Sequence, residues 1–322
     1  MRKIIFDTDP GIDDAYAIIT AMKHPDMEVL GLCTVAGNKG ITFTTTNAQK
    51  LVKYMNYDCK VYQGASESLL KVADDAGGTH GTDGLGGVAL DYDDSSLSAM
   101  SAVDFILKTV KENPDEIEII AIGPVTNIAL AIRKDRATME KVKAIYSMGG
   151  GVHRGNITPV AEFNYWYDAL AAKEMFSIGN KVDIHMIGLD ITHKSIITMN
   201  DLEFMRMVGG ELGELLYEMI MPYVKAYWNY SRYIGCVIHD LLAVIYAIDP
   251  SVCPKEKIFH STLDVSITGI TVGQTVVDIV DSWKQVKNAY VPMEVDARKY
   301  KVKFFEIVFG KAIAEEYQRV VK

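Results

Sequence analysis

The chain has 322 residues, 49% of them hydrophobic and 23% charged, which is ordinary for a globular protein with a large core. Its formal net charge of −9, without a basic run to offset it, disfavours nucleic acid and anionic lipid as main partners. The four cysteines show no CxxC spacing, the start does not resemble a signal peptide, and no apolar run approaches bilayer length. The sequence therefore predicts a reduced, cytoplasmic protein with no membrane partner.

Short β-branched runs alternate with longer helical patterns. In chain order, strands are predicted at residues 3–6, 29–35, 117–122, 144–148 and 183–189. Helices are predicted at 12–22 and 125–133, because each stretch follows a segment with a proline that suits a first helical turn. At 262–280 apolar and polar residues alternate, which predicts a β-hairpin. This order predicts an α/β fold: a single-domain, Rossmann-like, mostly parallel sheet flanked by helices, with a small β-hairpin addition.

No repeat, low-complexity tract or linker divides the chain, so residues 1–322 are expected to form one domain. The segment 77–87, GGTHGTDGLGG, is rich in glycine and is expected to be a surface loop. It lacks the Gly-Lys-Ser/Thr ending of a Walker loop, so a nucleotide phosphate site is not expected there.

Four aspartates fall within DTDPGIDDA, residues 7–15. Asp7 and Asp9 end the first strand, where alternate residues face the same way, and Asp13 and Asp14 begin the next helix. All four are expected at one strand-to-helix corner, where open parallel sheets usually bind ligands. Carboxylates about 4 Å apart repel by roughly 1 kcal/mol in water and by more in a cleft, so the cluster needs protons or a cation. Oxygen ligands without Cys or His pairs favour Ca²⁺ or Mg²⁺ over zinc.

Other interpretations of this stretch remain open. Asp13 and Asp14 could serve only as favourable charges at a helix N-terminus, worth about 0.3 to 1 kcal/mol each. Asp-x-Asp after an N-terminal strand also resembles the haloacid-dehalogenase phosphatases, with Asp7 as nucleophile and Mg²⁺ as cofactor, although Gly11 and Asp13-Asp14 depart from that motif. A third possibility is a non-catalytic nucleoside or ribose sensor, which would need no general base.

Together with five further motifs, this stretch resembles the inosine–uridine-preferring nucleoside hydrolase family. The motifs follow in the family's order to about residue 250: VAGN (35–38), GPVTNIA (123–129), MGGG (148–151), AEFN (161–164) and HD (239–240). The resemblance implies one α/β domain with one Ca²⁺ at the strand ends, hydrolysing the N-glycosidic bond of small-molecule ribonucleosides to ribose and free base. It also implies a homodimer or homotetramer acting in nucleoside salvage or catabolism.

The family's site residues carry over at matching motif positions. The implied calcium ligands are the side chains of Asp9, Asp14 and Asp240 and the backbone carbonyl of Thr126, with Asp9 also the general base for a calcium-bound water. The implied ribose ligands are Asp13 and Asn164 for the 2′- and 3′-hydroxyls, Glu162 and Asn156 for the 5′-hydroxyl, and Asn38 and Met148 along the sugar pocket. Such groups suit the reaction, because cleavage builds positive charge on the ribose ring.

The leaving nucleobase needs a proton donor. His239, directly before Asp240, is expected to be the general acid, with a pKa near neutrality, and it favours pyrimidine or broad inosine–uridine preference over strict purine preference. His80 could reach the base if the glycine-rich segment closes. Tyr223 and Tyr227 recur at helical spacing, typical of core or interface, and the resemblance places them beside the base, to stack or relay a proton.

Two departures from the family pattern put local loop geometry in question. Leu241 follows the HD motif where the family often has proline. After AEFN, the family's common Asp-Pro-Glu is replaced by Asp168-Ala169-Leu170. Neither change removes a proposed catalytic atom.

Overall fold

The computed structural model describes residues 1–70 and 80–321. Its strands are β1 (Arg2–Thr8), β2 (Met27–Thr34), β3 (Lys60–Gln63), β4 (Ile117–Ala121), β5 (Ala144–Met148), β6 (Asp183–Ile187), β7 (Ile197–Thr198), β8 (Gly235–Cys236), β9 (Ile258–Val265), β10 (Thr275–Asp278) and β11 (Ala289–Pro292). Its α-helices are α1 (Ile12–Lys23), α2 (Ile41–Tyr54), α3 (Ala102–Glu112), α4 (Thr126–Lys134), α5 (Arg136–Met139), α6 (Phe163–Tyr167), α7 (Ala169–Phe176), α8 (Leu189–Thr192), α9 (Met199–Val208), α10 (Gly210–Ser231), α11 (His239–Ile248), α12 (Ala297–Phe309) and α13 (Lys311–Val320).

One large sheet organises the described residues, with the strand order β10-β9-β11-β6-β5-β4-β1-β2-β3. The strands from β11 to β3 in this order are parallel. At the other end, β9 is antiparallel to β11, and β10 is antiparallel to β9. The predicted mostly parallel α/β fold with a small hairpin addition is therefore confirmed.

The central strands are mostly apolar because both faces of the sheet are covered. In β1, Ile4 and Phe6 enter the core on the face that α1 and α11 cover, while Ile5 enters the core on the opposite face. All three side chains are fully buried. Because a strand buried on both faces has no solvent-facing side, its sequence does not alternate between apolar and polar residues, and these segments are near-continuous hydrophobic runs.

The predicted strands and helices are found in the structure, and most of their ends differ from the predicted ends by one or two residues. The strand at 144–148 has the predicted bounds, and the one predicted at 183–189 ends at Ile187. The helices predicted at 12–22 and 125–133 correspond to α1 and α4, and the predicted hairpin corresponds to β9 and β10. Among the described helices, none combines the length and the apolar character that a membrane span requires.

The order of the strands fixes the position of the site. The chain first builds the sheet outward from β1 through β2 to β3, and then returns to build it in the other direction from β4. The loops after β1 and β4 therefore diverge at a topological switch point, where open α/β sheets hold ligands in a crevice. The aspartate-rich stretch follows β1, and GPVTNIA follows β4.

Of the predicted glycine-rich segment 77–87, residues 77–79 lie outside the described residues. From His80 onward it forms bends and turns, and Gly81, Gly84, Gly86 and Gly87 all have positive φ. A left-handed backbone disfavours other residue types at these positions.

Candidate active site

Buried carboxylates meet where β1 ends and α1 begins. Asp9 and Asp14 are fully buried, and Asp13 is 6% exposed. Asp240, at the start of α11, joins them because α11 packs along α1. Oxygen atoms of Asp13, Asp14 and Asp240 all lie within 4.8 Å of one another.

The loops after β2 and β4 enclose the Asp9 carboxylate. Its Oδ2 accepts a hydrogen bond from the backbone N–H of Asn38 at 2.6 Å. A Cβ atom at Gly37 would lie 2.1 Å from Asp9 Oδ2, and one at Gly123 would lie 2.6 Å from Oδ1. Both glycines are needed here because any side chain would occupy the space of the carboxylate.

Burial gives this cluster an unusual protonation state. It raises the pKa of the Asp13 and Asp14 carboxyls to about 6. Burial, reinforced by the neighbouring carboxylates, raises the pKa of Asp9 and of Asp240 well above the usual range. Without a compensating positive charge, Asp9 and Asp240 resist ionisation at neutral pH.

The donor set fits a hard cation. Asp9 Oδ1 and Asp13 Oδ1 are buried and lack a hydrogen-bond partner among the described residues. Unsatisfied buried carboxylate oxygens are rare in folded proteins, and a cation satisfies them. All available ligand atoms in the group are oxygen, which agrees with the expected Ca²⁺ or Mg²⁺ chemistry.

Asp7 does not join this cluster. Its Oδ1 accepts a hydrogen bond from Asn127 Nδ2 at 2.7 Å, and it does not line the cavity described below. Asp7 and Asp9 were expected to face the same way, but β1 ends at Thr8, so strand alternation does not extend to Asp9. A role for Asp7 as the nucleophile of a phosphatase has no support in this geometry.

A cavity of about 480 Å³ opens above the carboxylates. Residues from several strand ends and from α10 and α11 line it: Asp13, Asn38, His80, Ile122, Met148, Arg154, Gly155, Asn156, Ile157, Glu162, Phe163, Asn164, His193, Tyr223, Ala226, Tyr227, Tyr230, Ser231, His239 and Asp240. Asp9, Asp14 and Thr126, the other predicted site residues, are fully buried and do not line it.

Polar groups on the cavity wall are held by backbone contacts. Glu162 is the N-cap of α6, and its carboxylate accepts from the N–H groups of Asn164, Tyr165 and Gly150. Burial nevertheless raises the pKa of Glu162 to about 7. Asn164 Nδ2 donates to the carbonyls of Ile122 and Met148, which fixes the amide at the ends of β4 and β5.

His239 lies between two hydroxyl groups. Its Nε2 is 2.7 Å from Tyr227 Oη, and its Nδ1 is 2.8 Å from Thr192 Oγ1. Burial lowers the pKa of His239 well below its usual range, and the nearby His193 lowers it further. The expectation of a pKa near neutrality is therefore wrong, because the imidazole is desolvated, and it is neutral at pH 7.

His80 is buried at the cavity wall, with 5% exposure. Its Nδ1 accepts a hydrogen bond from the N–H of Ile12 at 3.2 Å, and its ring lies 5.3 Å from that of Tyr223. Burial lowers the pKa of His80 to about 4. Since Nδ1 is an acceptor, the proton of the neutral ring resides on Nε2.

The sequence matches one family of known proteins over most of its length. The model of the family described as inosine-uridine preferring nucleoside hydrolase matches residues 4–302. The inosine-uridine preferring nucleoside hydrolase of Crithidia fasciculata is 33% identical, covering 93% of this chain and 95% of the relative. The pyrimidine-specific ribonucleoside hydrolase RihB of Escherichia coli is 32% identical, covering 92% and 93%.

The chain belongs to the inosine-uridine preferring nucleoside hydrolase family.

Solved structures agree with this assignment. A plant nucleoside hydrolase superposes with a TM-score of 0.89 at 31% identity, covering 96% of this chain and 99% of the other. A purine-preferring ribonucleoside hydrolase from Gardnerella vaginalis gives 0.88 at 30% identity, covering 98% and 100%. As a nucleoside hydrolase, the chain is an N-ribosyl glycosidase that acts on ribonucleosides, in a family that is metal-dependent.

The family match also extends beyond the motifs recognised in the sequence, which ended near residue 250. The two departures from the nucleoside hydrolase pattern leave the site intact. Asp168 accepts from the Thr126 hydroxyl at 2.7 Å and from the Ala171 N–H at 3.1 Å, so it caps α7 without a following proline. Leu241 is fully buried on α11.

Some residues lining the nucleoside hydrolase cavity were missed in the sequence. Arg154 lines it, whereas the neighbouring His153 does not. Asp190 accepts from the N–H groups of Val152 and His153 and thereby holds this loop. His193 also lines the cavity, with its ring 5.4 Å from that of His239. The sequence did contain an indication of His193: in the stretch GLDITHK, residues 188–194, a histidine follows shortly after a predicted strand.

Proposed function

We propose that the chain is a calcium-dependent hydrolase of ribonucleosides that prefers pyrimidine nucleosides or accepts both inosine and uridine. The observation that carries the proposal is the buried group of Asp13, Asp14 and Asp240 beside a cavity of nucleoside size. Glu162 and Asn164 adjoin this group on the cavity wall, which provides the polar surface that a ribose requires.

Side chains of Asp9, Asp14 and Asp240, with the Thr126 carbonyl, would hold the cation. When bound, Ca²⁺ supplies positive charge that keeps the carboxylates ionised and makes water more acidic. Asp9 Oδ1 has no hydrogen-bond partner in the described part of the chain, and it is suited to accept a proton from the attacking water. Of these carboxylates, Asp240 lines the cavity, together with Asp13, where the sugar is proposed to bind.

The remaining polar residues are assigned to the sugar. Asp13 and Asn164 would bind the 2′- and 3′-hydroxyls, Glu162 and Asn156 the 5′-hydroxyl, with Asn38 and Met148 beside the ring. All six line the cavity. The negative charge of Asp13 stabilises the positive charge that develops on the ribose ring as the C–N bond breaks.

The leaving base departs toward the aromatic wall of the cavity. His239 and Tyr227 form a hydrogen-bonded donor pair there, and Tyr223 and His80 lie beside each other on the same wall. Because His239 is neutral, it does not carry an extra proton for the leaving base. We assign it instead to a proton relay with the Tyr227 hydroxyl. His80 offers its Nε2–H as a second donor.

Replacing His239 with alanine is expected to lower kcat for uridine and inosine by about 10²- to 10⁴-fold, because the leaving base loses its proton donor. Hydrolysis of p-nitrophenyl riboside, whose leaving group departs unprotonated, should change far less. His185→Ala is a matched control, since His185 also pairs with a tyrosine hydroxyl, that of Tyr246, but lies outside the cavity lining. An equal loss on both substrates would exclude His239 as a proton donor.

Further properties are proposed from the sequence resemblance: one domain over residues 1–322, a homodimer or homotetramer, and a place in nucleoside salvage or catabolism. The large sheet includes strands from Arg2 to Pro292, which supports one domain. The four cysteines are buried and free, which supports a cytoplasmic location.

The direct test is incubation of the calcium-loaded protein with uridine, cytidine, inosine, adenosine and p-nitrophenyl phosphate. Release of free base from one or more nucleosides supports the proposal, and the relative kcat/KM values define the base preference. Phosphate release without base release would favour a phosphatase. Saturable nucleoside binding without ribose release would favour a sensor.

A further inference from the structure

Two buried side chains next to the site have no part in the proposed chemistry. Asp7 and Asn127 are both fully buried. Asn127 Nδ2 donates to Asp7 Oδ1 at 2.7 Å and to the carbonyl of Thr34 at 3.0 Å, while its Oδ1 accepts from the N–H of Ala65 at 2.9 Å. This one amide therefore connects β1, β2 and the segment after β3 to the first turn of α4.

The first turn of α4 depends on such contacts. Its N-cap residue, Val125, has no side chain that can cap the helix. Thr126 instead donates its hydroxyl to Asp168, and Asn127 contacts Asp7. The start of this helix is thus anchored from two sides by buried carboxylates.

The same turn supports the wall around Asp9. The loop into α4 contains Gly123 and Pro124, and a Cβ atom at Gly123 would lie 2.6 Å from Asp9 Oδ1. On the other side, a Cβ atom at Gly37 would lie 2.1 Å from Asp9 Oδ2 and 2.7 Å from Pro124 Cδ. The Asp9 carboxylate therefore lies in a narrow space whose width depends on where α4 begins.

Asn127 has little freedom to adopt another position. A Cβ atom at Gly64 would lie 2.2 Å from Asn127 Oδ1 and 2.5 Å from its Nδ2. With three hydrogen bonds and this close backbone contact, the amide is fixed in place. A shift of α4 relative to β1 would break at least one of these bonds.

We infer that Asp7 and Asn127 form a positioning pair for the proposed cation site: they fix the first turn of α4 against β1 and so hold Asp9 in place. The inference rests on the function proposed above. Residues that orient metal ligands from outside commonly change metal affinity by about 10- to 100-fold when they are removed. Asp7 itself is neither a ligand nor a catalytic residue in this scheme.

The test is the Ca²⁺ affinity of the full chain, measured by calorimetry, with the Tm of the metal-free protein measured alongside. Asn127→Ala is expected to weaken Ca²⁺ binding by roughly 10- to 100-fold. Asn288→Ala is the matched control, since the Asn288 amide also makes three hydrogen bonds, all to backbone groups of Leu263 and Phe176, and does not line the cavity. It should lower Tm and leave Ca²⁺ affinity unchanged.

Two Asp7 variants keep the inference testable if Asn127→Ala does not fold. Asp7→Asn retains an oxygen that accepts from Asn127, so its Ca²⁺ affinity should be close to that of the unmodified protein. Asp7→Ala removes the acceptor and should weaken binding as Asn127→Ala does. Equal losses in Asp7→Asn and Asp7→Ala would show that the charge of Asp7 matters, which overturns a positioning role.

The outcomes separate this inference from the proposed function. Unchanged Ca²⁺ affinity in Asn127→Ala, with tight binding by the unmodified protein, would overturn the positioning pair alone. Failure of the unmodified protein to bind Ca²⁺ would overturn the calcium proposal and the inference with it.

Discussion

Asp9→Ala is expected to abolish nucleoside hydrolysis and to weaken Ca²⁺ binding. Loss of the proton acceptor alone should lower kcat by about 10²- to 10⁴-fold, and loss of a cation ligand adds to this. Steady-state kinetics with uridine and calorimetry with Ca²⁺ measure the two effects separately. Full activity with Ca²⁺ retained would remove both assigned roles.

A second buried aspartate provides the control for this variant. Asp201 is 2% exposed and accepts from Lys301 and Tyr317, which connects α9 to α12 and α13. Asp201→Asn should lower Tm because a buried charged pair is broken, while kcat at a temperature well below Tm stays unchanged. If both substitutions lowered kcat to the same extent, the loss in Asp9→Ala would reflect general destabilisation and not a specific role for Asp9.

Removal of Ca²⁺ by a chelator is expected to abolish activity and to lower Tm, and the Tm difference should increase with pH. In the metal-free protein, burial raises the pKa of Asp13 and Asp14 to about 6. Between about pH 4 and about pH 6 the folded protein therefore binds more protons than the unfolded chain, and its free energy of unfolding falls as the pH rises. Bound Ca²⁺ offsets this loss by neutralising the ionised carboxylates.

Differential scanning calorimetry with and without Ca²⁺ checks this prediction at about pH 5 and at about pH 8. A Ca²⁺ concentration of about 100 times Kd contributes roughly 2.7 kcal/mol of stability. The increase in Tm should be larger at the higher pH, where protons no longer compete with the cation. An increase that is equal at both pH values would mean that the carboxylates are ionised without the cation.

The fold could be predicted from the sequence because the central strands are buried on both faces. The segment 144–148 is buried along its whole length and has the predicted bounds. By contrast, β3 is a short strand at the edge of the sheet with only Val61 fully buried, so it has no comparable hydrophobic pattern and was missed. β11 was also missed, and its parallel pairing with β6 and antiparallel pairing with β9 depend on contacts distant in sequence.

The candidate site likewise combines residues that the sequence could predict with properties that only the packing of the fold decides. Residue types and motif order indicated the acidic corner and the positions of the residues along the cavity, since these are local features of strand ends and helix starts. The separation of Asp7 from Asp9 followed from where β1 ends, and the neutral state of His239 followed from its burial. Arg154 entered the lining through loop packing that no local pattern encodes.

By itself, the sequence determined the α/β fold, the nucleoside hydrolase motifs and the cluster of carboxylates after the first strand, because each depends on residues close together in the chain. Only the tertiary structure decided which carboxylates meet. Asp240 reaches Asp13 and Asp14 because α11 packs on α1, and Asp7 is held apart by Asn127. The physical reason is that desolvation and charge proximity depend on packing between elements distant in sequence, and these two quantities set the chemistry of the site.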